Sequence, residues 1–291
     1  MKLRKLNCIV LLCAVFSAAA QAAPAASSCD ARLSAGIPAR PVDAISGTEF
    51  VHSLEGLGDD AREAAILDQI DAGNIPRFQR RLVPVSLDGD SKVVVCVVPD
   101  YLAIGSDNDY FLAPMRLETA VAIARRFGFV LPTPKIVDAV YAQSSVQLQP
   151  QPLPASDTMR TTAYYWQHKR MVRQQRAAAG IPLGALTAGD KKDLVLTNRL
   201  WTMRDRVAIY GWHLPGGQAI QPLSTVHGWH YADYSHGVRL VAATAYIDGA
   251  ARPILDLLGD TRSAPLLSNE GAIPQLPRLL DLLGRGLIAG L

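Results

Sequence analysis

The chain is short of cysteine, of histidine and of long apolar runs, and each shortage excludes a class of protein. Only four of its 291 residues are cysteine, too few for a disulfide-scaffold miniprotein. No stretch beyond the N-terminal segment is long and apolar enough to span a bilayer, which takes ~20 residues. No Gly-x-Gly-x-x-Gly fingerprint follows a strand pattern, which argues against a dinucleotide fold. No His-Glu-x-x-His appears, so the usual zinc-protease signature is missing too.

What is present begins with a leader. Lys2, Arg4 and Lys5 give a basic start, Cys8 to Phe16 is a short apolar run, and Ala20-Gln21-Ala22 is a small-x-small cleavage site. That is the pattern of a cleavable secretory signal over residues 1–22. Leu11 and Leu12 precede Cys13 where a lipoprotein signal needs small residues, so a free product, periplasmic or secreted, is expected. The whole chain has 29 basic and 26 acidic residues, and residues 1–22 hold three basic and no acidic ones, leaving 26 of each. A neutral surface offers no general attraction to phosphate backbones or anionic lipid, so nucleic acid is not expected as a partner. Cleavage also removes Cys8 and Cys13. Cys29 and Cys96 remain, and an even pair in an oxidising compartment is expected to form a disulfide.

Residues 23–45, rich in Ala, Ser and Pro, read as a flexible leader, and 46–291 as a single domain. Helical spacing starts at Gly47, and Asp59-Asp60-Ala61-Arg62-Glu63 opens a helix to about Ile70 with acids in its first turn. Arg80 to Leu87 and Lys92 to Val98 read as strands around an Asp88-Gly89-Asp90 turn. The second is apolar on both faces, which predicts a central strand. Leu117 to Phe127 is helical with Gly128 as its cap, and Thr133-Pro134 starts another helix. Gln147 to Ser156 is an extended connector, and a long helix spans about Thr158 to Ala179. Strands are then expected at Asp193 to Thr197, Arg206 to His213, Gln218 to Val226 and Gly237 to Ile247, followed by helices at Ala251 to Leu258 and Leu276 to Leu291. Strands, then helices, then strands predict an α+β fold: a mixed or antiparallel sheet, with helices inserted between an N-terminal hairpin and C-terminal strands.

Four of the six histidines, His213, His227, His230 and His236, fall within 24 residues, and Trp201, Trp212 and Trp229 are near them. Tyr210, Tyr231, Asp233, Tyr234, Ser235 and Arg239 share the segment. Titratable groups concentrate in active sites, and three chemistries fit this set. His227, Asp233 and His236, with His213 as a fourth, are ligand types that zinc takes. Ser235 with a histidine base is the raw material of acyl transfer. Trp212, Trp229, Tyr231 and Tyr234 are a stacking platform for sugar rings or peptide, with Arg239 holding a carboxylate. A hydrogen-bonded structural cluster is the bland alternative.

His227-Gly228 followed by Ser235-His236-Gly237-Val238-Arg239-Leu240 resembles the signature of L,D-transpeptidases, secreted enzymes that cross-link or trim bacterial cell wall through a cysteine acyl-enzyme. The nucleophilic cysteine has no counterpart here, and the match covers fewer than twenty residues. Asp100-Tyr101-Leu102-Ala103-Ile104-Gly105-Ser106-Asp107, Leu131-Pro132-Thr133-Pro134-Lys135 and Tyr231-Ala232-Asp233-Tyr234-Ser235-His236-Gly237 are similar to an uncharacterised group of secreted bacterial proteins, which implies a class and no mechanism.

The resulting expectation is a hydrolase or transferase acting on peptidoglycan or other extracellular peptide. Its catalytic residues are His227, Asp233, Ser235, His236 and Arg239, and its substrate-binding residues Tyr210, His213, Trp229 and Tyr234. A histidine is general base, Asp233 orients it and Arg239 holds a substrate carboxylate. The alternative is a non-catalytic binding protein for cell-wall saccharide or peptide. Lys191-Lys192 is expected at a solvated strand entrance, His168 on the surface of the long helix, and His52 without chemical neighbours. Asp107-Asn108-Asp109 is read as a turn, since Leu112 stands where a calcium loop needs glycine.

Overall fold

The computed structural model describes residues 29–87 and 92–284. Residues 1–28, 88–91 and 285–291, which include the expected secretory signal and the expected Asp88-Gly89-Asp90 turn, lie outside the described residues.

Along the chain, α1 (Gly47–Ser53) and α2 (Asp59–Asp71) precede β1 (Val83–Leu87), β2 (Val93–Val97), β3 (Ala103–Gly105) and β4 (Tyr110–Leu112). Then come α3 (Leu117–Phe127), β5 (Phe129–Val130), α4 (Pro134–Gln143), β6 (Val146–Gln147), α5 (Thr162–Ala179) and β7 (Thr187–Ala188). Strands β8 (Lys192–Leu194), β9 (Ile209–His213), β10 (Ala219–Ser224), β11 (His236–Gly237), β12 (Val241–Ile247) and β13 (Ala250–Pro253) lead to α6 (Ile254–Gly259) and α7 (Leu276–Gly284). The fold is α+β, with mixed and antiparallel sheets.

Local chemistry sets many of these boundaries. Ser46 and Glu49 close a reciprocal capping box on α1, satisfying two N–H groups that the first turn leaves free. Thr133 caps α4 with Pro134 in its first turn, and Gly128 ends α3 in the left-handed conformation. Every residue of β2 is buried, because β2 lies between β1 and β12 in the larger sheet, with β13 beyond β12 and β5 also paired to β12. The smaller sheet runs β10-β9-β8-β11, with β11 parallel to β8.

One expected strand, Gly237 to Ile247, is split between the two sheets. His236–Gly237 pairs with Lys192 and Asp193 in the smaller sheet, while Val241–Ile247 pairs with β2 in the larger one. Between them, Val238 and Leu240 carbonyls accept the N–H groups of Leu102 and Val98. The segment richest in chemistry is therefore the hinge that joins the sheets.

Other boundaries moved. Ala250–Pro253 is a strand, where a helix was expected from Ala251. Asp248 and Gly249 both have positive φ, 49° and 84°, the conformation of a tight hairpin turn, so the chain returns along β12 before α6 begins. From Cys29 onward the expected flexible leader is fixed on the body. Cys29 and Cys96 form a disulfide across 67 residues. Arg40 donates to Asn74 Oδ1, to the carbonyl of Gly105 at 2.8 Å and to that of Ala44 at 2.6 Å.

Candidate functional site

Strand β9 delivers Tyr210 and His213. In a regular strand these two positions face opposite ways, but Gly211 and Trp212 have φ of 108° and 55°. This kink brings both side chains to one carboxylate. Asp138 Oδ1, from α4, accepts the Tyr210 hydroxyl at 2.9 Å and faces His213 Nε2 at 2.9 Å. His213 is buried and stacks on Tyr141 at 4.5 Å. A cavity of about 360 Å³ opens beside the cluster, lined by Asp138, Tyr141, Gln147 and the Gly216-Gly217 turn. Asp138 was not foreseen, because it lies 75 residues from His213 and nothing local marks it.

The second cluster is built on a turn before β11. Asp233 Oδ1 accepts the Ser235 N–H at 2.8 Å and its hydroxyl at 2.5 Å, and Oδ2 accepts the Tyr231 hydroxyl at 3.0 Å. Burial works to raise the Asp233 carboxyl, but the neighbouring His236 and Lys192 and the Ser235 hydrogen bonds outweigh it and bring the pKa down to about 2. His236 is fully buried, and neither ring nitrogen has a hydrogen-bond partner. Burial drives its pKa down to about 4 against the pull of Asp233, so the ring is neutral at pH 7. Tyr231 stands edge-on to it at 5.6 Å, and His227, half-buried, is stacked flat on Tyr231 at 4.1 Å. Arg160 sits 5.7 Å from the same ring. The His227 imidazole is also lowered, by burial first and then by Lys192, against Asp233.

The remaining residues serve the interior. Arg239 is 1% exposed. It donates to the carbonyls of Val98 at 3.0 Å and Thr187 at 2.7 Å, and lies 4.4 Å over the Tyr101 ring. It is a tie between sheets, and its guanidinium is closed to a substrate carboxylate. Tyr101 donates to Asp193 at 3.0 Å, and its ring covers Gly237, where a methyl group would come within 2.6 Å of it. Ser235 is fully buried with its hydroxyl committed to Asp233, which makes it a turn-former and not an accessible nucleophile. Tyr234 is buried, its hydroxyl accepting the Leu153 N–H at 2.7 Å. Trp229 is partly buried against His230, away from the Asp138 cluster.

Three expectations on basic residues are corrected. Lys191 and Lys192 are buried: Lys191 donates to the carbonyls of Tyr234 at 2.7 Å and Leu112 at 3.2 Å, and Lys192 lies 4.8 Å over Trp212. His168 is buried as well, because this face of α5 turns inward. His52 does have neighbours, Glu55 at 2.8 Å and the Trp166 ring.

The segment 210–239 thus divides into two clusters and a buried tie. Among the described residues, no group of three or more His, Cys, Asp and Glu side chains is placed to hold a metal ion; His213 belongs to the Asp138 cluster and not to that of His227, Asp233 and His236. No helix among the described residues is long and apolar enough to cross a membrane. Comparison of the chain with protein-family models, with curated proteins and with solved structures finds no match.

Proposed function

We propose that the protein is an extracytoplasmic binding protein for cell-envelope peptide or saccharide, and that it does not carry out acyl transfer. The signal-like N-terminus supports the compartment. The observation that carries the reading is the burial of the reactive groups: Ser235 and His236 are 0% exposed and Arg239 is 1% exposed. An acyl-transfer enzyme needs its nucleophile, base and anchor within reach of substrate. The stack of Arg160, Tyr231 and His227 is half-buried and still reaches solvent; its ring faces suit sugar rings, and the Arg160 guanidinium is paired with Asp59.

The test is co-sedimentation with purified peptidoglycan, followed by analysis of the soluble muropeptides. Binding without new products is expected, weakened by Tyr231→Ala and by Arg160→Glu. New muropeptides that vanish in His227→Ala and His236→Ala would sink this reading. They would favour a second one, a hydrolase or transferase on the same material. One observation supports that alternative: the neutral His236 ring lies near an ionised Asp233 with neither nitrogen committed to a hydrogen bond, so either nitrogen is free to take a proton. Loss of products on adding a chelator would then assign them to a metal-dependent reaction.

A further inference from the structure

Helix α5 and the β3–β4 hairpin enclose a cavity of about 330 Å³ that takes no residue from the segment 210–239. The sequence gives one face of α5 the order His168, Lys169, Val172, Arg173, Arg176, Ala177, which is helical spacing, and all six line this space. Phe111, Leu112 and Val172 are apolar and buried in its wall, and Ile181 and Leu183 stand at its rim 37% and 38% exposed. The volume lies in the range of small-molecule sites, which combine apolar walls with a few convergent polar groups.

The charges are unevenly matched. Lys169 is paired with Asp109 and also donates to Thr48 at 3.0 Å. Asp107 accepts the Phe78 N–H at 3.2 Å. Among the described residues no ion pair joins Arg173 or Arg176 to a carboxylate. Arg176 is 9% exposed; one terminal nitrogen donates to Thr187 Oγ1 at 2.5 Å, and the other has no partner. A buried guanidinium N–H without an acceptor costs free energy that a ligand oxygen would recover. Tyr110 adds a hydroxyl donor to the wall; burial and Asp100 raise its phenol, Arg176 opposing, so it stays protonated.

We propose that this cavity binds a small amphipathic carboxylate, the head group meeting Arg176 and Arg173 and the aliphatic or aromatic body lying along Phe111, Val172 and the Ile181–Leu183 rim. The apolar rim separates this ligand from a bare inorganic anion, which would leave those surfaces wet. Arg173 and Arg176, neither of them in an ion pair among the described residues although the buried Asp100 feels the charge of Arg176, separate it from a neutral or cationic amphiphile. This site shares no residue with the Arg160–Tyr231–His227 surface, so its test stands apart from that of the proposed function.

Calorimetric titration of the oxidised protein with octanoate, octan-1-ol and inorganic phosphate tests the assignment. Octanoate is expected to bind at about one site, at least about tenfold more tightly than octan-1-ol or phosphate. Ala177→Trp, an exposed helix position that places an indole across the mouth, should abolish octanoate binding and leave the thermal unfolding midpoint nearly unchanged. Arg176→Gln should bring octanoate down to the level of octan-1-ol. If that variant fails to fold, the exposed Arg173→Gln should still weaken octanoate selectively. Equal binding of octanoate and octan-1-ol would overturn the assignment. So would phosphate binding as tightly as octanoate, no saturation by octanoate, or wild-type octanoate binding in Ala177→Trp.

Discussion

Ser235 closes a turn on Asp233: its backbone N–H at 2.8 Å and its hydroxyl at 2.5 Å both donate to the same carboxylate oxygen. A hydroxyl that donates to a carboxylate whose pKa is held at about 2 is fixed beside a base too weak to deprotonate it, so its contribution is to folding. Ser235→Ala is therefore expected to cost about 1–3 kcal/mol of stability, the range for a buried hydrogen bond to a charged group, and to leave peptidoglycan co-sedimentation unchanged. Urea unfolding and the sedimentation assay read the two effects separately. Loss of a muropeptide product in this variant, with stability intact, would return Ser235 to the chemistry.

His236 gives the same cluster a pH dependence. The imidazole ordinarily titrates near 6.5 and in the fold near 4, lowered by burial with Asp233 opposing and Lys192, His227 and Lys191 assisting. Between those values the unfolded chain binds more protons than the folded one. The stability from keeping this ring neutral is thus fully present above about pH 6.5 and is lost as pH falls toward 4, by up to about 3 kcal/mol. Other buried groups titrate as well, so the measurement is the difference in unfolding free energy between wild type and His236→Gln at several pH values. That difference should shrink as pH drops from 7 to 4; a difference that does not vary with pH would contradict the account.

Arg239 was expected to hold a substrate carboxylate, and its position turns the prediction into one about stability. Removing the guanidinium leaves the carbonyls of Val98 and Thr187 without these donors and takes a cation from beside the buried Asp193, 4.0 Å from the Arg239 Nε. Burial already raises the Asp193 carboxyl to about 6 with Arg239 opposing. Breaking a buried charged network from one side costs about 3–5 kcal/mol, so Arg239→Met should unfold at much lower denaturant. If Arg239→Met keeps wild-type stability and loses ligand binding, the residue is a binding group after all.

The Cys29–Cys96 bridge closes a loop of 67 residues and holds the N-terminal stretch to the central strand of the larger sheet. Loop closure of that length contributes roughly 4 kcal/mol in the chain-entropy account. Reduction should lower the urea midpoint of wild type and leave that of a Cys29→Ser/Cys96→Ser double variant unmoved.

Local signals carried the fold a long way. Thr133-Pro134, Gly128 and the acidic start at Asp59 mark real helix ends, since capping is decided by atoms a few residues apart. The all-apolar Val93–Val97 is the central strand it reads as. Of the candidate site, only the crowding of residue types in segment 210–239 was legible. Which histidine meets which carboxylate depends on pairings such as Asp138 with His213 that join distant segments. The burial of Lys191, Lys192 and His168 runs against the usual surface preference of charged side chains, and only the convergence of carbonyls, carboxylates and aromatic rings around them explains it. Ala250–Pro253 was missed because its apolar content suits helix as well as strand; the Asp248-Gly249 turn decides it.

Tyr210 and His213 meet on one oxygen of Asp138, and this shared acceptor makes their energies interdependent. Asp138 is partly open, 46% exposed at its side chain, while that of His213 is 3% exposed, so deleting the carboxylate leaves a buried ring nitrogen without its partner. His213 keeps its stack on Tyr141 in either case, which isolates the polar contact from the packing. In a double-mutant cycle, His213→Gln should cost about 1–2 kcal/mol less in an Asp138→Ala background than in wild type, and Tyr210→Phe should show a smaller coupling of the same sign. Additive costs would mean that the kink at Gly211 and Trp212 serves only to seat β9 against α4. Coupling would mean that it exists to bring two donors to one carboxylate at the mouth of the 360 Å³ cavity.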